Sequence, residues 1–207
     1  MNPLRLCVFA SGRGSNFSAI LNAIDEGRLS AEVRMLISNN PDAGALAIAG
    51  EHRIPTQIIS SIDFPVRLEF VNQLITVLKK HETDLIVLAG YMKRIPPEII
   101  ALFRNRIVNI HPALLPLFGG KGMYGHHVHK AVLDHGCKVS GVTVHLVDER
   151  YDCGPIILQK CVPVHDNDTA DTLASRVLKV EHAIYPEVLQ LFAEGRIRIE
   201  GRRVFIR

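Results

Sequence analysis

An α/β fold, a mostly parallel twisted sheet with helices on both faces, is predicted by three observations. Apolar runs of strand length alternate with stretches of helical periodicity along the chain. The first run, Leu4 to Ala10, passes through Ser11-Gly12-Arg13-Gly14-Ser15-Asn16 into Phe17, Ile20, Leu21 and Ile24 at helical spacing. Strand, glycine turn and helix start open a Rossmann-like nucleotide-binding unit. Finally, polar residues gather at a strand end, at Asn109 and His111, where open α/β sheets bind ligands.

Strands are expected at Leu4–Ala10, Val33–Ser38, Thr56–Ile59, Leu85–Ala89, Arg106–Ile110, Gly141–Val147 and Ile156–Val162. Helices are expected at Asn16–Glu26, Ala43–Glu51, Pro65–His81, Pro97–Phe103, His127–His135 and Thr169–Ala193. Asp168 and Thr169 are cap candidates for the last helix. Arg196–Glu200, Gly201 and Arg203–Ile206 read as a terminal hairpin.

A chain of 207 residues is long enough for one α/β domain, burying about 70% of its unfolded surface. Hydrophobic residues make up 47% and charged residues 22%, as in ordinary globular proteins. No apolar stretch is long enough to span a bilayer, and Met1 to Arg5 leads straight into the first strand, so neither membrane attachment nor a signal peptide is expected. Cys7, Cys137, Cys153 and Cys161 show no paired spacing, which suits a reducing cytoplasm. A net charge of +3 suits anionic small substrates and does not demand nucleic acid. The basic tail lacks interleaved aromatics apart from Phe205 and reads as a solvated hairpin.

In the first turn, free N–H groups and a helix dipole face whatever anion approaches. Gly12 and Gly14 let the backbone come close, and Ser15 or Asn16 caps the helix or touches the ligand. The position three after Gly14 is Phe17, and the second strand ends in Ser38-Asn39-Asn40 without an acidic residue. A mononucleotide or sugar phosphate is therefore favoured over a dinucleotide.

Asn109 and His111 are two apart on a strand and point the same way. An amide donor beside a titratable ring suits a carbonyl oxygen gaining negative charge. The acidic loop from Asp148 to Pro155 lies between two strands and is able to bring a carboxylate to the imidazole. His126 and His129 have a loose metal-ligand spacing, but no nearby Cys or Glu completes a four-ligand set.

Together the Ser11–Asn16 turn, Leu88-Ala89-Gly90-Tyr91-Met92, Asn109-Ile110-His111-Pro112-Ala113-Leu114-Leu115-Pro116, Asp152-Cys153-Gly154-Pro155 and Glu181-His182-Ala183-Ile184-Tyr185-Pro186 closely resemble the folate-dependent phosphoribosylglycinamide (glycinamide ribonucleotide) formyltransferases. The likeness runs from Leu4 to about Leu191. It implies a single formyltransferase domain over residues 1–207, with a mononucleotide-binding half at 1–95 and a catalytic and folate-loop half at 96–207. The implied reaction moves a formyl group from 10-formyltetrahydrofolate to the amine of glycinamide ribonucleotide, in purine biosynthesis, without a metal. Gly14, Ser15 and Asn16 match the phosphate cradle, and Glu181, with Lys179 two residues before it, the ribose site. Arg67 matches the arginine near the benzoyl-glutamate end of the folate. Met92, Lys93, Arg94 and Ile95, with Asp148, Glu149, Arg150, Tyr151 and Asp152, match the segments walling the pterin pocket, beside Asn109. Asn109, His111 and Asp152 match the catalytic groups, and His111 is expected to titrate above about 6.5 because Asp152 favours its charged form.

Cys153 stands where many relatives have glycine, Lys93-Arg94 replaces a common Arg-aliphatic pair, and the loop from Leu117 to Gly125 is longer and richer in glycine. Lys121 in that loop is a candidate charge for the substrate phosphate. Related readings are a formyltetrahydrofolate deformylase, a methionyl-tRNA formyltransferase, or a non-catalytic nucleotide-binding module. A cytoplasmic monomer or homodimer is expected.

Overall fold

A computed structural model describes residues 2–207; Met1, where the domain reading begins, lies outside the described residues. Fifteen elements of regular helix and strand follow in the order β1 (Leu4–Phe9), α1 (Ser15–Asp25), β2 (Ala31–Ser38), α2 (Gly44–Glu51), β3 (Thr56–Ile58), α3 (Arg67–Lys80), β4 (Leu85–Leu88), α4 (Pro97–Leu102), β5 (Ile107–His111), α5 (His126–Asp134), β6 (Val139–Leu146), β7 (Ile156–Pro163), α6 (Ala170–Ala193), β8 (Ile197–Glu200) and β9 (Arg203–Ile206). Each expected strand and helix is present, with ends displaced by a residue or two. A short 3-10 turn at Ser61–Asp63 was not expected.

Seven strands form a sheet in the order β3-β2-β1-β4-β5-β6-β7, and β8 and β9 form a separate hairpin. β1 pairs in parallel with β2 and β4, and β2 with β3, whereas β6 and β7 are antiparallel. Parallel strands covered by helices are apolar throughout. β4 is accordingly Leu-Ile-Val-Leu, buried at all four positions.

The chain divides into two compact units, one ending at Val108 and one running from Asn109 to Arg207, so the division falls inside β5 rather than at residue 95. α4 goes with the first unit. Arg67 at the start of α3 donates to both Glu98 carboxylate oxygens in α4, at 2.8 and 2.7 Å. In the first unit Phe9, Phe17, Leu74 and Leu78 are among the buried side chains. In the second, α6 buries Leu173, Val177, Ile184, Tyr185 and Leu189 at helical spacing. Thr169, not Asp168, caps α6: its hydroxyl accepts from Thr172 N–H at 3.2 Å, and Thr172 returns the bond to Thr169 N–H at 2.9 Å. Asp168 instead holds Arg176, at 2.7 Å to each oxygen.

Candidate active site

In the first unit, strand order reverses between β1 and β4, and ligands of open α/β sheets bind beyond the carboxyl ends at such a point. Ser11, two residues past β1, ties these ends together. Its hydroxyl donates to Asn39 Oδ1 at 2.5 Å and accepts from Met92 N–H at 2.8 Å, while its N–H reaches the Gly90 carbonyl at 3.1 Å. Asn40 Nδ2 closes the knot on the Ser11 carbonyl at 3.1 Å. Tyr91 packs edge-on to Phe9, and burial pushes its phenol up to about 12.

Gly14 is the residue before α1 and takes φ 85°, a left-handed conformation that glycine adopts freely. No side chain caps α1, so neither Ser15 nor Asn16 performs the capping expected of it. The helix start carries the positive end of the helix dipole. Gly14 also has a packing reason to be glycine, since a Cβ there would lie 2.8 Å from the Ala45 Cα. Gly12 has open space around it. Asn16 is buried and Ser15 half-buried.

Arg67 is exposed and bound to Glu98, as described. Met92, Lys93 and Arg94 are exposed after β4, and Ile95 is buried. The segment is therefore anchored at its far end while three side chains face outward.

In the second unit, β5 and β6 and the loop after β6 bring four polar side chains together. Asn109 and His111 alternate correctly on β5, and His111 is 4% exposed. His111 Nε2 lies 2.8 Å from the Phe118 carbonyl, which only accepts, so this nitrogen carries a hydrogen. Nδ1 faces Asp152 Oδ2 at 3.8 Å. Asp152 Oδ1 is 3.6 Å from His145 Nε2, and Oδ2 accepts from Gly120 N–H at 2.8 Å. His145 Nδ1 donates to the Leu146 carbonyl at 2.8 Å, and its Nε2 lies 3.0 Å from Asn109 Nδ2. An amide carries two N–H hydrogens, so Asn109 retains a second donor.

His145 was missed in the sequence. It lies in a strand buried at seven of eight positions and reads there as core. Its signal was its place, a histidine one residue before the strand ends at the acidic loop.

The expected rise of the His111 pKa is corrected by the structure. Burial pushes the ring below its ordinary 6.5, outweighing Asp152 and the Phe118 carbonyl, which both raise it. Burial also pushes the Asp152 carboxyl up, yet the His145 ring, the Gly120 N–H and the His111 ring together bring it below its ordinary value. The cluster thus pairs an ionised carboxylate with an imidazole that rests neutral near pH 7.

Asp148 is bonded within the acidic loop, and Arg150 and Tyr151 line the cavity beside Asp152. Asp148 Oδ1 accepts from Arg150 N–H at 2.8 Å, an Asx-type turn, while Glu149, Arg150 and Tyr151 are exposed. On α6, Glu181 is 8% exposed whereas Lys179 is exposed. Two residues span about 200° of a helix, so these side chains leave opposite faces. Histidines 126 and 129 do not form a metal cluster: among the described residues no group of three His, Cys, Asp or Glu is placed to hold an ion. His126 instead lies 3.3 Å from Asp171.

A formyl transferase family model matches residues 4–189. The chain belongs to the formyl transferase family. It is 47% identical over 194 residues to "Phosphoribosylglycinamide formyltransferase, chloroplastic" of Vigna unguiculata, covering 93% of this chain and 62% of that protein. It is 36% identical over 203 residues to the phosphoribosylglycinamide formyltransferase of Escherichia coli, covering 98% and 93%. Among solved structures it resembles glycinamide ribonucleotide transformylase 1 from Symbiobacterium toebii, with a TM-score of 0.92 at 43% identity, covering 99% and 94%.

Proposed function

We propose that this formyl transferase moves the formyl group of 10-formyltetrahydrofolate to the amine of 5'-phosphoribosylglycinamide, giving formylglycinamide ribonucleotide and tetrahydrofolate in purine biosynthesis. The observation that carries the reading is the cluster in which Asp152 faces both His111 and His145, with Asn109 bound to His145. Those groups suit attack of an amine on a formyl carbon, where an oxyanion and a cationic nitrogen form together. The relatives that bear this name support the choice of acceptor.

Asn109 offers its second amide hydrogen to the formyl oxygen. His111 Nε2–H is the other donor, and the formyl oxygen takes the place that the Phe118 carbonyl holds in the resting protein. The ring enters neutral because burial lowers its pKa. As the oxyanion grows at Nε2–H and Asp152 faces Nδ1, the imidazolium becomes favoured and Nδ1 takes up the proton lost by the attacking amine, through water where direct reach fails. Collapse of the intermediate returns a proton to the departing folate nitrogen. None of these steps calls on a metal.

Gly14, Ser15 and Asn16 are proposed to hold the substrate phosphate at the uncapped start of α1. Glu181 is proposed for the ribose hydroxyls and Lys121 as a flanking charge, whereas Lys179 leaves the opposite face of α6 and is not placed with them. Arg67 is proposed for the carboxylate end of the folate, after releasing Glu98. Met92–Ile95 and Asp148–Asp152 are proposed as pterin walls. A cytoplasmic enzyme, monomeric or homodimeric, is proposed; its four cysteines are free, and no helix among the described residues is long and apolar enough to cross a membrane.

The test is a tetrahydrofolate-release assay run with glycinamide ribonucleotide, with formylatable methionyl-tRNA, and with no acceptor. Release only with glycinamide ribonucleotide is expected. Equal release without acceptor would make the protein a deformylase, and release with the tRNA alone would overturn the proposed substrate.

A further inference from the structure

The proposed chemistry gives the β8–β9 hairpin no task. Its strands pair from Ile197↔Ile206 to Glu200↔Arg203, which leaves Gly201 and Arg202 as a two-residue turn. Gly201 supplies the left-handed φ, 59°, that so tight a turn needs. The turn presents Arg202 to the acidic loop, where its Nη2 donates to the Cys153 carbonyl at 2.6 Å, across 49 residues of sequence. Arg202 also lines a cavity of about 200 Å³ together with Leu115, Gly120, Asp152 and Cys153.

The gripped carbonyl belongs to the residue after Asp152. Asp152 takes φ 52°, which side chains other than glycine rarely adopt, and such backbone persists only where its surroundings enforce it. One restraint is Gly154, packed so closely on the Leu146 carbonyl that any Cβ would collide. Another is the Arg202 guanidinium on the intervening carbonyl, a charge-assisted bond roughly twice as strong as a neutral one.

We infer that Arg202 is a positioning residue for the reaction: by holding the Cys153 carbonyl it keeps Asp152 left-handed and so aims its carboxylate at Gly120, His111 and His145. The inference rests on the proposed role of Asp152 and extends it to a part of the chain with no other assigned contact to the chemistry. A planar guanidinium fits this grip better than an ammonium point charge, so lysine is expected to replace it only in part.

The experiment compares Arg202→Met, Arg202→Lys, Arg203→Met and Asp152→Asn in the full chain. Arg202→Met is expected to lower kcat about 10-fold, less than the roughly 100-fold that a 1 Å misplacement can cost, with a far smaller change in KM. Its His111 ring, followed by NMR, should titrate lower than in the wild type, because a misaimed carboxylate supports the charged ring less. Arg202→Lys should recover part of both effects, and Arg203→Met, in the same hairpin, should show neither. Wild-type kcat in Arg202→Met, or a loss that follows the melting temperature while the His111 titration stays fixed, would overturn the inference. Full activity in Asp152→Asn would show instead that the underlying reading had failed.

Discussion

The turn after β1 and the cluster after β5 are built on opposite plans. The first is a backbone device: a left-handed glycine, an uncapped helix start and a serine hydroxyl that joins three strand ends. The second consists of buried and half-buried polar side chains, held by loops distant in sequence. A backbone device fails when the chain is deformed. A proton-carrying cluster fails when one atom is exchanged, with the fold intact.

The largest expected effect probes the cluster. Asp152→Asn should fold normally and lose on the order of 10²–10⁴-fold in rate, while Asp148→Asn, which serves a local turn, should lose far less. Steady-state kinetics with circular dichroism will show it, and equal losses would break the assignment. Next comes the residue hidden in β6. His145→Leu should lower kcat by about 10–100-fold by freeing Asn109, since one misplaced oxyanion donor is costly. An unchanged kcat would remove His145 from the working set.

The turn should respond in another way. Gly14→Val meets both the positive φ and the Ala45 backbone, so it should destabilise by about 2–4 kcal/mol in urea titration. Gly12→Ala, in open space, should leave stability nearly unchanged and weaken glycinamide ribonucleotide binding in calorimetry more than folate binding. A stable Gly14→Val would mean that its packing had been misjudged.

Much of this was legible in the sequence because it is local. Leu4 to Asn16 announces strand, turn and helix within thirteen residues, and alternation alone sets Asn109 beside His111. What escaped depends on distance or burial. Arg202 reaches Cys153 from a hairpin that read as solvated, and His145 hides among apolar neighbours. The direction of the His111 shift was misread because a neighbouring carboxylate is visible in a motif, whereas the depth of its burial is set by the whole unit around it. Lys179 and Glu181 were paired by closeness in sequence, although helical geometry separates them.

The smallest expected effect concerns acid. In the first unit the buried Cys7 and the half-buried Tyr91 are shifted upward by desolvation and stay neutral as pH falls. In the second unit His111, His129 and His182 are all shifted downward, with burial the leading cause, His129 to about 4. A histidine with a lowered folded pKa binds protons more readily when unfolded, so stability declines as pH drops below about 6.5. Denaturant midpoints should therefore fall between pH 6.5 and about 4, and His129→Gln should flatten that decline. An unaltered slope would place the acid sensitivity elsewhere. Hydrogen exchange at pH 5 should show the second unit opening before the first.

The Phe118 carbonyl on His111 Nε2 has a consequence for economy of turnover. An activated formyl donor held next to water is always at risk of being wasted by hydrolysis. On the proposed chemistry, the donor most able to assist such waste is already engaged by the protein's own backbone. On that proposal the bond would restrain idle consumption only until the donor's own formyl oxygen displaced the Phe118 carbonyl.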